Sequence, residues 1–427
     1  MLLLGANNVL DGIFVGQYAG EVALAGVSIA LAPLITIIGL GLLVGSGAGT
    51  LLSIVIGAGD TEVKNNILGN VNVLTLVLGV VVMAAGGLFS KQILFLMGGR
   101  GEALTLGGEY FRTILWAAPV WLYAIALNNL IRSEGKMKTA ALITAVSLLV
   151  NGCSNYVLMV LLDFGVKGAA IGTNIGMAVQ AAIAVLHFAK KKDAAYTIFT
   201  IRFDKNIVGK MLSMGFAGFI MQFMGSIQML LVLNVLNHYG SSGDIAFYGI
   251  VTRLFSFLIQ PVAGFMFALT PVIGINFGAG QSERVIGAFK RFVGAGLTLL
   301  FPLWLLLLVF PDRAIALMMK DSLLPAQNIL YFRVYMALLP IMPFIFFSLA
   351  FFPAINKGKI SSILGSLQQI VFYVPVMLIL PAFIGVAGVY YGTFLIEMCS
   401  AIPVSILVIR EFHLLRIGAT KWEKQEA

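Results

Sequence analysis

Of 427 residues, 60% are hydrophobic and 11% charged, which leaves too little polar surface to cover a water-soluble globule. A membrane-spanning helix takes roughly 20 apolar residues, so the chain has room for about a dozen spans, and a single soluble domain is excluded. The net charge of +9 sits in short clusters between apolar runs, as in the loops of membrane proteins, so nucleic acid is not an expected partner.

In chain order, the first apolar stretch, 1–18, opens on Leu2, Leu3 and Leu4 ahead of the polar pair Asn7 and Asn8. It has neither the basic flank nor the cleavage site of a signal peptide. Ending near Gly16, it is shorter than a full span, so either helix 1 is truncated or its first half is absent from this sequence. Breaks at Gly, Pro and charge place the next stretches near 22–56, 63–89, 104–131, 137–162 and 166–189. A second set follows near 206–237, 244–277, 284–310, 325–355, 359–383 and 386–410. Cys153 and Cys399 each lie inside an apolar stretch and read as packing residues, not as a disulfide or metal framework.

With the first stretch ending outside, 19 of the 27 basic residues fall in the even-numbered connections and the tail, against seven in the odd-numbered ones. Basic residues accumulate on the cytoplasmic side, so both termini are expected in the cytoplasm of a multi-pass bacterial inner-membrane protein.

The two sets also repeat. Gly57-Ala58-Gly59 answers Gly278-Ala279-Gly280, Gly135-Lys136 answers Gly358-Lys359, and Gly165-Val166-x-Gly168 answers Gly385-Val386-x-Gly388, at offsets of 220 to 223. Matches at nearly one offset indicate a duplication, not shared composition. Six spans per half bring both halves in from the same side, related by an axis along the membrane normal, with a central cleft between two bundles. The expected organisation is a lobe over 1–189, a cytoplasmic linker at 190–205, a second lobe over 206–410 and a tail at 411–427.

The first stretch carries Asp11-Gly12-x-Phe14-Val15-Gly16. Ala23-Leu24-Ala25 follows, then Gly45-x-Gly47, Ser53 and Gly57-x-Gly59-Asp60; the second half carries Pro271-x-x-Gly274-x-Asn276-x-Gly278-Ala279. In this order the motifs resemble the multidrug and toxic compound extrusion (MATE) family from end to end. Gly215, Gln222, Asn234 and Tyr248-Gly249-Ile250 with Arg253 resemble its small bacterial drug-efflux subgroup. The resemblance implies an all-α polytopic protein of about 12 transmembrane helices in two pseudo-symmetric six-helix bundles forming a V. It further implies a monomeric antiporter that takes small-molecule drugs from the cell and its bilayer and expels them against inward protons or sodium ions, with no other cofactor.

An ionised side chain in hydrocarbon costs at least about 2.5 kcal/mol, so each intramembrane charge needs a partner, a wet cavity or a task. Asp11 matches the family's cation-binding aspartate; the alternative is a structural residue near a helix end. Burial favours the neutral form of a carboxyl group, the property a proton-coupling site uses, whereas sodium would need further oxygens. Asn151 and Asn155 are four apart and share a helix face, and with Thr173 they match positions that complete the family's first-lobe site. A possible sodium site at Asp11, Asn151 and Asn155 is the one metal expectation. Some relatives have aspartate where this chain has Asn155, leaving one carboxylate here instead of two. The plainer reading is that these amides hold helices together.

Glu397 is the mid-membrane carboxylate of the second half, and two roles stay open for it: a substitute cation or drug contact, or a buried pair with Arg253. Arg253 itself either lines the cleft or snorkels to the surface. Gln222, Asn234, Arg253 and Glu397 are the candidate cleft residues, with Met221, Phe223, Met224, Met229, Phe255 and Phe257 as candidate wall. His187, His238 and His413 lack metal-ligand spacing, and no Gly-Lys-Ser/Thr phosphate loop is present. A flippase for lipid-linked precursors shares this architecture and is the alternative, disfavoured because Arg253 alone could meet a pyrophosphate. An intramembrane enzyme would need a clustered nucleophile and base, which the sequence lacks.

Overall fold

The computed structural model describes residues 11–12, 14–190, 200–316 and 326–422. The first half of the short opening stretch, most of the 190–205 connection and the end of the tail lie outside the described residues. Every regular element among the described residues is helical. Helix α1 carries the helical residues 11–12 and 14–18. It is followed by α2 (Glu21–Ala58), α3 (Thr61–Leu96), α4 (Gly101–Leu115), α5 (Ala118–Ser133), α6 (Met137–Asn155) and α7 (Gly165–Ala189). Then come α8 (Lys205–Tyr239), α9 (Ser242–Gly278), α10 (Ser282–Val309), the short α11 (Pro311–Ala316), α12 (Ala326–Met336), α13 (Met342–Ala354), α14 (Gly358–Ser366), α15 (Tyr373–Ile384) and α16 (Ala387–Arg416).

Nine continuous helical stretches among the described residues, with Met137–Leu161 and Gly358–Ile384 each taken as one, are long and apolar enough to cross a membrane, and α4 with α5 makes a tenth if the pair, bent by 59°, is one span. The bend has a sequence cause. Pro119 has no N–H to continue the helix, and the Ala117 N–H bonds Ile114 O at 3.0 Å in place of Thr113 O. In the second half, α12 and α13 are likewise separated, across 337–341.

By packing, the described residues form two compact units that divide between Phe223 and Met224, inside α8. The first unit has its core in Leu34, Ile37, Phe111, Ile114, Leu122 and Met159. Its helices approach closely through glycine. A Cβ at Gly41 would meet Ile125 Cδ1 at 2.9 Å, one at Gly45 would meet Ala126 Cα at 2.8 Å, and Gly49 faces Asn129 O at 3.2 Å. Spaced four apart, these three residues form one small-residue stripe against α5, the usual device for close packing in lipid. On a second face of α2, Gly47 meets Met211 and Leu43 meets Gly215, which seats the first half of α8. The second unit has an aromatic core, in which Tyr331 stacks on Tyr390 at 4.8 Å and Phe255 meets Tyr335 edge-on at 5.2 Å.

The duplication is written in the backbone. Left-handed residues close corresponding turns at Gly59 and Gly280, at Gly135 and Asn356, and at Gly165 and Gly385. The donor three residues past each helix reaches back to the corresponding carbonyl: Lys136 N to Ile131 O at 3.3 Å and Lys357 N to Phe352 O at 2.8 Å, the Schellman arrangement. This corrects one sequence match. Gly135 corresponds to Asn356, not Gly358, because asparagine is the non-glycine residue that best tolerates the left-handed region.

Candidate functional site

In the first unit, α6 packs on α7 with Ser147 and Asn151 facing Gly176 and Asn155 facing Gly172, while Gly168 faces Leu158 just beyond α6. A Cβ at Gly176 would meet Asn151 Cβ at 2.9 Å, one at Gly168 would meet Leu158 O at 3.2 Å, and one at Gly172 would strike Asn155 Oδ1. The glycines remove side-chain bulk where the amides need room, and Ser147 Oγ donates to Gly176 O at 2.7 Å. Asn151 and Asn155 are buried as a result.

The amides reach two further elements. Asn155 Nδ2 donates to Asp11 Oδ1 at 2.6 Å, a charge-assisted contact of the stronger kind that ties α1 to α6. Asn151 Nδ2 reaches Thr173 Oγ1 at 3.3 Å, and Thr173 donates to Ala169 O at 2.9 Å. Buried Tyr110 of α4 lies within interaction range of both Asp11 and Thr173. Asn155 Oδ1 is buried without a hydrogen-bond partner among the described residues. One carboxylate, two amides and two hydroxyls therefore meet within one unit, where they are able to hold or release a small cation.

Sequence reasoning missed Tyr110 and the glycine side of this seam. The Gly168-x3-Gly172-x3-Gly176 spacing is the signal that would have found the second. It also missed Asn174, which donates to Thr113 O at 2.8 Å and accepts from Trp121 Nε1 at 2.9 Å. Thr113 O is the carbonyl released by the α4–α5 bend, so Asn174 satisfies the group that the break leaves open.

In the second unit, α14 and α15 are joined by a π-helical segment, Leu367–Phe372, as α6 ends in another, Tyr156–Leu161. Such wide turns turn side chains off the regular helix face and recur at functional sites. Here the segment presents Gln368, whose Nε2 donates to Glu397 Oε2 at 2.8 Å. Tyr335 and Tyr373 lie within electrostatic reach of the same carboxylate, and Gln369 meets Gln228. Glu397 and Arg253 form no ion pair among the described residues; Arg253 is exposed on α9.

The other candidates are more dispersed. Asn234 is exposed and bonds its own helix at Leu230 O, 2.9 Å away. Gln222 lies against Gly39 of α2, where a Cβ would meet Gln222 Cβ at 3.2 Å. Met224 is buried, whereas Phe257 is 65% and Met229 64% exposed. Cys153 is exposed and Cys399 half-buried, so the expectation that both are packing residues fails for Cys153, which faces outward from α6.

This arrangement of spans and polar seams agrees with comparisons to known proteins. A family model described as MatE matches residues 1–157 and 214–379. The chain belongs to the MATE family of transporters. It is 26% identical over 423 residues to "Multidrug export protein MepA" of Staphylococcus aureus (strain MRSA252), covering 97% of this chain and 91% of that one. MepA of Staphylococcus saprophyticus is similar at 26% over 421 residues, with the same coverage. Among solved structures, a MATE protein in a bent conformation superposes with a TM-score of 0.90 at 24% identity, over 97% of this chain and 93% of that chain. A MOP superfamily transporter from Pyrococcus furiosus gives 0.88, also at 24% identity and with the same coverage. The chain is thus an all-α polytopic membrane protein in a family of transporters.

Proposed function

We propose that this MATE transporter is a secondary antiporter of the bacterial inner membrane that exports cationic or amphipathic drugs by alternating access. Its coupling carboxylate is Asp11, and the observation that carries the reading is the 2.6 Å contact from Asn155 Nδ2 to Asp11 Oδ1. An amide serves a carboxyl group in either state. Its N–H donates to the carboxylate, and after a half-turn its oxygen accepts from the protonated acid. Asn155 Oδ1, buried without a partner, is the acceptor such a turn would present. With an N–H directed at the single carboxylate, the site is better suited to a proton than to sodium, which needs several oxygens to itself.

Proton uptake at Asp11 would weaken the α1–α6 tie, because a charge-assisted hydrogen bond is roughly twice as strong as a neutral one. Repacking of α1 against α6 then links the proton to substrate affinity. The similarity to the multidrug export protein MepA supports drugs as the cargo. A precursor flippase remains the weaker reading, since Arg253 alone among the candidate cleft residues is cationic.

Reconstituted vesicles loaded with a cationic dye test the proposal under an imposed proton or sodium gradient. Proton-driven efflux by the wild-type chain and its loss, by at least about tenfold, in Asp11→Asn are the expected results, given the 1.5–3 kcal/mol carried by hydrogen bonds to charged groups. Efflux unchanged in Asp11→Asn would remove Asp11 from the mechanism. Efflux driven only by sodium would replace the proton as coupling ion.

A further inference from the structure

The second unit contains a cavity of about 380 Å³ between α10, α13 and α16, away from Glu397 and Gln368. Phe289, Phe344 and Phe412 wall it, with Val293 and Val408 between them. These rings are fixed: Phe289 meets Phe412 at 5.5 Å and Phe344 at 6.2 Å, both edge-on. Small Ser405 leaves the space open, and its hydroxyl is turned back to Ala401 O at 2.7 Å, so the interior offers no donor to a ligand. At the rim, Lys290 is exposed and Ile409 is 68% exposed. The result is an apolar slot with a single cationic side chain at its mouth.

The charge around that mouth is unbalanced. Helices α10 and α16 run antiparallel, since Phe412 meets Phe289 and Arg416 pairs with Glu283 at 3.3 Å. Among the described residues, the acids of α10 and α16 at this end are engaged elsewhere: Glu283 holds Arg416, and buried Glu411 holds Lys357 at 2.5 Å. Lys290 makes no ion pair among the described residues. An apolar slot beneath an unneutralised cation fits a molecule with a hydrocarbon tail and an anionic head, and a basic pocket between membrane helices is a recurrent lipid-headgroup site.

We infer that this groove binds one anionic phospholipid of the surrounding bilayer, an acyl chain lying in the Phe289–Phe344–Phe412 slot and the phosphate meeting Lys290. A zwitterionic lipid would fill the slot equally well but carry no net charge to the basic rim. The inference rests on membrane location alone and is independent of drug export.

Native mass spectrometry of the full chain in detergent, titrated with phosphatidylglycerol or with phosphatidylethanolamine of the same acyl chains, tests it. One phosphatidylglycerol should be retained about tenfold more tightly than phosphatidylethanolamine. Lys290→Ala should abolish that preference without abolishing lipid binding, and Lys290→Arg should keep it. Ser405→Phe, which fills the slot, should release both lipids, and glycerol phosphate should not compete. Equal retention of the two lipids by the wild-type chain, an unaltered preference in Lys290→Ala, or competition by glycerol phosphate would each overturn the proposal.

Discussion

A methyl group at Gly172 would land on Asn155 Oδ1, with Asn155 N at 3.1 Å, whereas one at Gly87 would meet nothing within 4 Å. Overpacking a close seam costs about 1–3 kcal/mol, and a helical Gly→Ala change without clash gains up to about 1 kcal/mol. Gly172→Ala should therefore lower the thermal midpoint in detergent and disturb coupling, while Gly87→Ala leaves both intact or raises the midpoint slightly. At Glu397 the expectation is chemical. With Gln368 on its carboxylate and Tyr335 and Tyr373 near it, it offers a cation both charge and aromatic faces. Glu397→Gln should weaken cationic dyes by about tenfold, equivalent to 1.4 kcal/mol, and leave neutral ones unaffected; equal loss for both classes in a dye-binding titration would refute that role. Asp11, Asn151 and Asn155 were legible in the sequence because charge and amide side chains are rare in lipid and a spacing of four marks one helix face, whereas Thr173 was reached only through the resemblance to the MATE family. Tyr110 was not, since an aromatic residue in an apolar stretch reads first as packing, and Asn174 was not, since its partner is a carbonyl that only the bend exposes.

Among the elements, the broken fourth span is the one whose stability depends on a distant side chain. Asn174→Leu would strand both Thr113 O and Trp121 Nε1, and each buried polar group left without a partner costs about 1–3 kcal/mol. Trp121→Phe would strand only the Asn174 oxygen, so its midpoint should fall less, apart from any loss of ring packing. A similar dependence anchors the start of α8. Buried Asn70 of α3 accepts from Asp204 N at 2.7 Å, and Asp204 in turn caps Asn206 N at 2.8 Å. The 12 apolar stretches were visible as runs, but the breaks within the fourth and tenth and the π segments within the fifth and eleventh were not. Hydropathy sums composition over a window, whereas a break depends on which individual carbonyl finds a donor.

For the whole molecule, the basic-residue bias predicts a cytoplasmic location for the turns closed by Gly59, Gly135, Gly280 and Asn356. Single cysteines at Lys136 and Lys359, introduced after Cys153→Ser and Cys399→Ser, should react with an impermeant maleimide only in inverted vesicles; labelling from intact cells would reverse the topology. At the same end of the second unit, Glu411→Ala would leave Lys357, 27% exposed, without its partner. Removing one member of a buried pair costs about 3–5 kcal/mol, and partial exposure of the lysine reduces this to about 2 kcal/mol, seen as a lower midpoint. The sequence alone determined the membrane class and the duplication, because lipid demands long apolar runs and a duplicated chain keeps its turn residues in register. Tertiary structure decided which polar groups meet. The Asp11–Asn155 contact joins residues 144 positions apart, Glu397 takes Gln368 instead of Arg253, and Asn356 replaces Gly358 as the partner of Gly135. Contacts and backbone conformation at that separation follow from how helices pack, a property that no local window of sequence contains.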